Sequence, residues 1–234
     1  MSTPTSERPE SGTVVHLTSG ANKDVARDGR ASRAEKIREQ RRRELLDVAL
    51  HVFAQRGYHH ARIADIIDAA GVARGTFYLY FESKNAIFHA LLDDLLGRVR
   101  ASVVGVSMGT NAPPVNVQIR ESVERVLAAF VASPDLTRVV LREAVGLDAE
   151  VDKKLADFYA RLHRWLADAL ENGARLGLLR VANGELAAWA VLGTIKQMVQ
   201  LLVDGTEDER AQRPTITAAA EAILDYSMLG LAPR

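Results

Sequence analysis

Apolar residues recur at every third or fourth position along most of the chain, a spacing that predicts amphipathic helices. From Arg41 onward, Leu45, Leu46, Ala49, Leu50, Phe53 and Ala54 fall on one face with charges opposite, and Gly57 ends that helix. Ile63, Ile66, Ile67 and Ala70 make a second, short apolar face that stops at Gly71, and Val72 opens a third segment reaching about Tyr80. Ser83 is placed to cap a long fourth helix buried along Ile87, Leu91, Leu95, Val99 and Val103. The stretch from Gly105 to Pro114 reads as a loop. Amphipathic segments follow from Val117 to Ala132, from Pro134 to about Gly146, and along Val151, Leu155, Phe158, Leu162, Leu166, Ala169 and Leu170. Asn183 caps an alanine-rich helix to about Val203, Asp204 to Glu209 reads as an acidic loop, and Pro214 opens a last helix to about Met228. No segment has the alternation of a strand. The expected fold is all-α, with about nine helices in two parts.

Composition narrows the chemistry. A chain of 234 residues is long enough for one large or two small domains, and the absence of cysteine excludes a disulfide scaffold, a thiolate zinc site and a cysteine nucleophile. No phosphate-binding loop, HExxH, GxSxG or EF-hand pattern occurs, so nothing points to an enzyme. His59 and His60 are adjacent rather than at helical spacing, which argues for turn residues and against a metal pair, and no cofactor is implied. Polar and charged residues from Met1 to Glu10 stand where a secretory signal needs an apolar run, so a cytoplasmic protein is expected. Leu186 to Val203 is the most apolar stretch, but Lys196, Gln197 and Gln200 make it a buried or interface helix rather than a membrane span.

The formal charge is zero, yet between Arg27 and Arg43 eight cations face three anions. That local excess suits a polyanion. Residues 1–33, rich in Ser, Thr, Gly, Pro and charge, read as a disordered basic arm, and such arms can lie in a minor groove. Residues 34–82 then form one domain and 83–234 a second.

The densest constellation lies between Gly57 and Lys84. Two short helices joined at Gly71 have the form of a helix-turn-helix, whose second helix enters a major groove. Val72, Phe77 and Phe81 are spaced to pack inward, leaving Ala73, Arg74, Gly75, Thr76, Tyr78 and Tyr80 outward. Ala73 and Gly75 let the backbone approach, Arg74 is long enough for a guanine edge, and Thr76, Tyr78, Tyr80 and Lys84 can donate to phosphates.

With Phe53-Ala54-Gln55-Arg56-Gly57-Tyr58 and the run from Ala69 to Lys84, the sequence resembles the TetR/AcrR family of transcriptional regulators, closely over residues 43–100. The resemblance implies a homodimer whose first three helices bind a double-stranded DNA operator, whose fourth leads to a small-molecule effector site, and whose last two form an intersubunit four-helix bundle. Family members often carry hydroxyl residues where this chain has Ala61, Arg62 and Ala73. Arg62 replaces a neutral phosphate contact with a charged one, and Arg42 and Arg43 add others. By position, Phe88, Leu92, Phe130, Arg142, Tyr159, His163 and Trp189 are the candidate lining of an effector cavity, the polar members orienting a mostly apolar ligand. Small residues Ala187, Ala190, Gly193 and Thr194 suit a dimer seam, with Ile223, Leu224 and Tyr226 opposite. Repression with release by ligand is the expected mode. The alternative with the same fold is a non-specific DNA binder or a protein adaptor.

Overall fold

The computed structural model describes the backbone of residues 21–231 and the side chains of 33–227. Ten helices are present among them: α1 (Ala21–Arg56), α2 (Ile63–Ala70), α3 (Arg74–Tyr78), α4 (Lys84–Ser102), α5 (Val115–Val131), α6 (Pro134–Glu143), α7 (Ala149–Arg175), α8 (Gly184–Val203), α9 (Glu207–Ala211) and α10 (Ile216–Leu231). No strand occurs among the described residues. The tenth helix is the single turn α9, formed inside the expected acidic loop because Thr206 accepts from Glu209 N–H while the Glu209 carboxylate accepts from Thr206 N–H.

Of the stretch expected as a disordered arm, residues 1–20 lie outside the described residues and the backbone from Ala21 is helical. Alanine, arginine and lysine, which favour helix, recur from Ala21 to Arg33 among weaker formers such as Asp28 and Gly29, and the stretch has no apolar face for periodicity to detect. The chain divides into two units, Met1–Arg43 and Glu44–Arg234. In the first, Arg43 Nε lies 3.1 Å from Glu39 Oε1 across one exposed turn.

The second unit is held by one large core and two smaller ones. Leu45, Ala49, Val52 and Phe53 of α1, Ile66 of α2 and Phe77 of α3 share the large core with Phe88 and Leu92 of α4, Val140 of α6 and Phe158 of α7. It runs without a break across residues 82 and 83, where the sequence reading divides the domains. Helix α4 is buried on two sides: beside the expected Ile87, Leu91, Leu95 and Val99, it also buries Phe88, Leu92 and Leu96. A second core joins α5, α8 and α10 through Leu127, Val199, Leu202, Ala220 and Ile223, and a third joins α7 and α8 through Ala167, Leu170 and Ala188.

Caps fix where the long helices start. Ser83 Oγ accepts from Ala86 N–H at 3.0 Å, Asp148 Oδ1 from Glu150 and Val151 N–H at 2.8 Å, and Asn183 Oδ1 from Leu186 N–H at 3.0 Å. Ser133 departs from this pattern: Pro134 opens α6, while the Ser133 hydroxyl accepts from Arg98 Nη1 at 3.0 Å.

Candidate nucleic-acid interface and its connection to the helical domain

Two left-handed glycines define the head. Gly57 (φ 75°) lets the chain leave α1, and Gly71 (φ 61°) ends α2 with its N–H on the carbonyls at the end of that helix. Helix α3 then hangs from Phe77, which is fully buried with its ring against Tyr78 (5.4 Å) and Phe81 (6.3 Å). Ala73, Arg74, Gly75 and Tyr78 are exposed, and Thr76 is half-buried. The Arg74 guanidinium carbon stands 5.8 Å from the centre of the Tyr78 ring, within cation–π range, so the two donors lie side by side on the exposed face.

Two expectations change here, and one unassigned residue comes into view. Tyr80 is half-buried and packs against the large core, so its ring is less available than a fully outward residue would be. Leu79, which the sequence reading left unassigned, is 71% exposed. Its signal was the angular spacing from Phe77, overlooked because leucine reads as a core residue. Lys84, expected on phosphate, folds back instead: its ammonium donates to the carbonyls of Tyr58 (2.6 Å), Ala61 (3.0 Å) and His59 (3.4 Å). An ammonium has three hydrogens, and three carbonyls engage them. The Tyr58 ring lies 4.3 Å from the same nitrogen. Burial pulls the Lys84 ammonium below its usual range.

At the start of α2, Arg62 occupies the cap position with an extended backbone but no side-chain cap bond, since a guanidinium has no acceptor to offer. The Asp65 carboxylate compensates by accepting from Arg62 N–H and from Arg56 Nη1, both at 2.8 Å, which clips the end of α1 to the start of α2. The Arg62 side chain is left exposed.

The head is wired into the helical domain by a second polar group. The Tyr58 hydroxyl lies 3.4 Å from Asn85 Oδ1, Asn85 in turn bonds the Asp148 carboxylate, and His89 Nε2 stands 3.4 Å from Asp148 Oδ2. His89 Nδ1 faces Glu150 Oε1 at 3.5 Å. The backbone N–H of Val151, helped by Asn85, Glu150 N–H and His89, holds the Asp148 carboxyl below its usual range. Burial, then the Asp148 charge, pushes the Tyr58 hydroxyl up. Separately, His59 Nε2 lies 3.8 Å from Glu143 Oε2 at the end of α6.

The seven candidate effector residues fall in three places. Phe88 and Leu92 are fully buried in the large core, with Phe130 and Tyr159 packed against it, and burial raises the Tyr159 hydroxyl. His163 stacks on Trp189 at 4.5 Å, its Nε2 2.9 Å from the Glu185 carbonyl oxygen. Arg142 is exposed and paired with Asp204 at 2.9 Å. A surface cleft of about 450 Å³ between the end of α7 and the start of α8, lined by Glu171, Arg175, Val181, Asn183 and Glu185, includes none of the seven. Ile223, expected at a dimer seam, is instead buried in the second core. Among the described residues no group of three or more His, Asp or Glu is placed to hold a metal ion. Helix α8 is long and apolar enough to cross a membrane, and only 22% of its apolar window is buried.

Comparison with known proteins bears directly on this head. The family model for bacterial regulatory proteins of the tetR family matches residues 45–91, and that for the tetracyclin repressor-like C-terminal domain matches 113–200. The chain is 30% identical over 192 residues to the uncharacterized HTH-type transcriptional regulator YdgC of Bacillus subtilis, a match covering 80% of this chain and 92% of that one. The HTH-type transcriptional repressor KstR2 of Rhodococcus jostii is 45% identical over 67 residues, covering 27% of this chain and 33% of the relative. The solved ketosteroid transcriptional regulator KstR2 of Mycobacterium tuberculosis shares the fold with a TM-score of 0.61 at 22% identity, over 83% of this chain and 96% of that one. So does AibR, solved with isovaleryl coenzyme A and operator DNA, at a TM-score of 0.60 and 17% identity over 80% and 97%. A helix-turn-helix head on an all-helical body, in a chain whose relatives are transcriptional regulators, makes this a DNA-binding regulator. The chain belongs to the TetR family.

Proposed function

We propose that the chain is a homodimeric repressor, acting in the cytoplasm, that holds a palindromic operator with two reading heads and is released by a small, mostly apolar ligand. The exposed face of α3 carries this reading: Arg74, Gly75 and Tyr78 stand open to solvent with Phe77 buried behind them. Arg74 reads a guanine edge, while Ala73 and Gly75 keep the backbone close to the groove. Thr76, Tyr78, Tyr80 and the exposed Arg62 bind phosphates, as do Arg42 and Arg43 of α1.

One short helix gives little affinity, so two heads are needed. The surface that supports dimerisation is on α8, where Leu186, Trp189, Ala190, Gly193 and Gln197 are exposed at three- and four-residue spacing. Tyr226 of α10 is 74% exposed. A stripe this apolar, with glycine and alanine at its centre, favours close approach of a second copy. The ligand acts by population shift: it binds better where the two heads are wrongly spaced, and full release takes several kcal/mol of such preference. Phe88, Leu92, Phe130 and Tyr159, which share the large core, are the members of the candidate lining that can form one apolar site; His163 and Arg142 lie elsewhere, and Trp189 belongs to the exposed stripe of α8. Asn85, His89 and Asp148 carry the movement from α7 to the head.

Selection of duplexes from a randomised pool at near-physiological salt, with sedimentation of the free protein, tests the reading. An inverted repeat bound by a dimer is expected; binding without sequence preference that vanishes as salt rises refutes it in favour of a non-specific binder. Thermal-shift titration with isovaleryl coenzyme A, the molecule solved with AibR, and with a ketosteroid, after the description of KstR2 as a ketosteroid transcriptional regulator, tests the effector.

A further inference from the structure

The head has an apolar centre that none of its polar contacts explains. At about 100° per residue, Gly75 and Leu79 fall roughly 160° to either side of Phe77, so they occupy the middle of the face opposite the buried one. Arg74 and Tyr78 flank them on one side, Thr76 and Tyr80 on the other. Leu79 keeps right-handed helical backbone (φ −70°, ψ −20°) and is 71% exposed. Its position is fixed, because Leu79 N–H bonds the Thr76 carbonyl at 3.3 Å while Tyr80 and Phe81 N–H both bond that of Phe77. Gly75 is the second observation. A Cβ built there meets nothing within 4 Å, and its φ is not positive, so neither packing nor backbone conformation requires glycine. Glycine inside a helix is destabilising relative to alanine. What its bareness does is clear space on the outer surface, beside an exposed leucine.

A leucine side chain has no hydrogen-bonding group, so phosphates and most base edges offer it nothing. The one apolar feature on the floor of the major groove is the 5-methyl group of thymine. We propose that Leu79, with Gly75 clearing the space beside it, is a specificity-determining residue that reads thymine through that methyl group. The inference rests on the sequence-specific DNA binding proposed above. It adds a base contact to a face otherwise described by Arg74 alone.

The test scans the duplex recovered from the randomised pool, replacing each thymine in turn by deoxyuridine, which removes only the methyl. Fluorescence anisotropy at fixed near-physiological salt is recorded for the unaltered protein and for Leu79→Ala. At one or more positions per half-site, loss of the methyl is expected to weaken the unaltered protein about fourfold, the effect of one buried methyl-sized group, and to leave Leu79→Ala indifferent. A half-site without thymine, or methyl effects equal in both proteins, overturns the inference while leaving the regulator reading intact. A pool yielding no preferred duplex overturns both. Leu79→Ala removes atoms that are mostly in solvent, so circular dichroism and melting temperature are expected to match the unaltered protein, and a loss of stability would itself reassign Leu79 to the fold.

Discussion

Replacing Lys84 by alanine separates a structural lysine from a phosphate-binding one. The substitution leaves the carbonyls of Tyr58, His59 and Ala61 without the donor they share and takes a cation from the Tyr58 ring. A hydrogen bond from a charged donor contributes about 1.5–3 kcal/mol, but the turn is partly open and water replaces some of what is lost. The 3.4 Å bond to His59 adds little, and the ring contact adds about 0.5–1 kcal/mol. A net loss of about 2–3 kcal/mol is expected, which for a chain of this size lowers Tm by roughly 5–10 °C. A lysine on phosphate behaves otherwise. Removing it leaves Tm nearly unchanged and reduces the slope of log K against log salt by about 0.9 per half-site. Differential scanning calorimetry and anisotropy titrations between 50 and 200 mM salt, as an order-of-magnitude working range, read both quantities on the same variant. Unchanged Tm with a reduced slope would refute the reasoning and return Lys84 to the DNA surface.

Three further outcomes are expected. Arg62→Ser supplies the missing acceptor at the start of α2 and is expected to stabilise the fold by about 0.5–2 kcal/mol while weakening DNA binding; denaturant melts and anisotropy check the two opposite effects. Asp148→Asn keeps a capping side chain but removes the charge. Because the Asp148 carboxyl is held below its usual range, its contribution is complete above the ordinary carboxylate pKa of about 4 and disappears as pH falls through the lowered value. The Tm difference between the two proteins, followed from neutral to acid pH, is therefore expected to close in acid, and a gap that widened there would contradict the assignment. Ala190→Arg puts a charge in the exposed stripe of α8 and is expected to give a monomer by sedimentation, with weaker operator binding.

Much of this molecule was legible from periodicity and turn chemistry. The start of α4 at Ser83, the turn glycine at 71, the cap at Asn183 and the buried Phe77 all follow from local rules, because each involves residues within one or two turns of one another. Helix α9 escaped because a capping box among acidic residues looks like loop composition. The helical start at Ala21 escaped because a helix without an apolar face leaves no periodic trace. Ile223 was assigned to the wrong surface because an apolar residue on an amphipathic helix declares that it is covered, never by what.

The family and the position of the helix-turn-helix were already written in residues 43–100, and the all-helical class in the periodicity of the rest, since a helix-turn-helix is a local device whose glycines, buried aromatics and capping residues sit close together in the chain. The tertiary structure alone decided that Lys84 turns inward to the Tyr58–Ala61 turn, that Leu79 rather than Tyr80 stands in the open, and that Asp148 meets Asn85 and His89 across sixty residues of chain. Those facts depend on which surfaces the core brings together. A long flexible side chain takes its partner from whatever lies within reach after folding, and one-dimensional spacing carries no record of that.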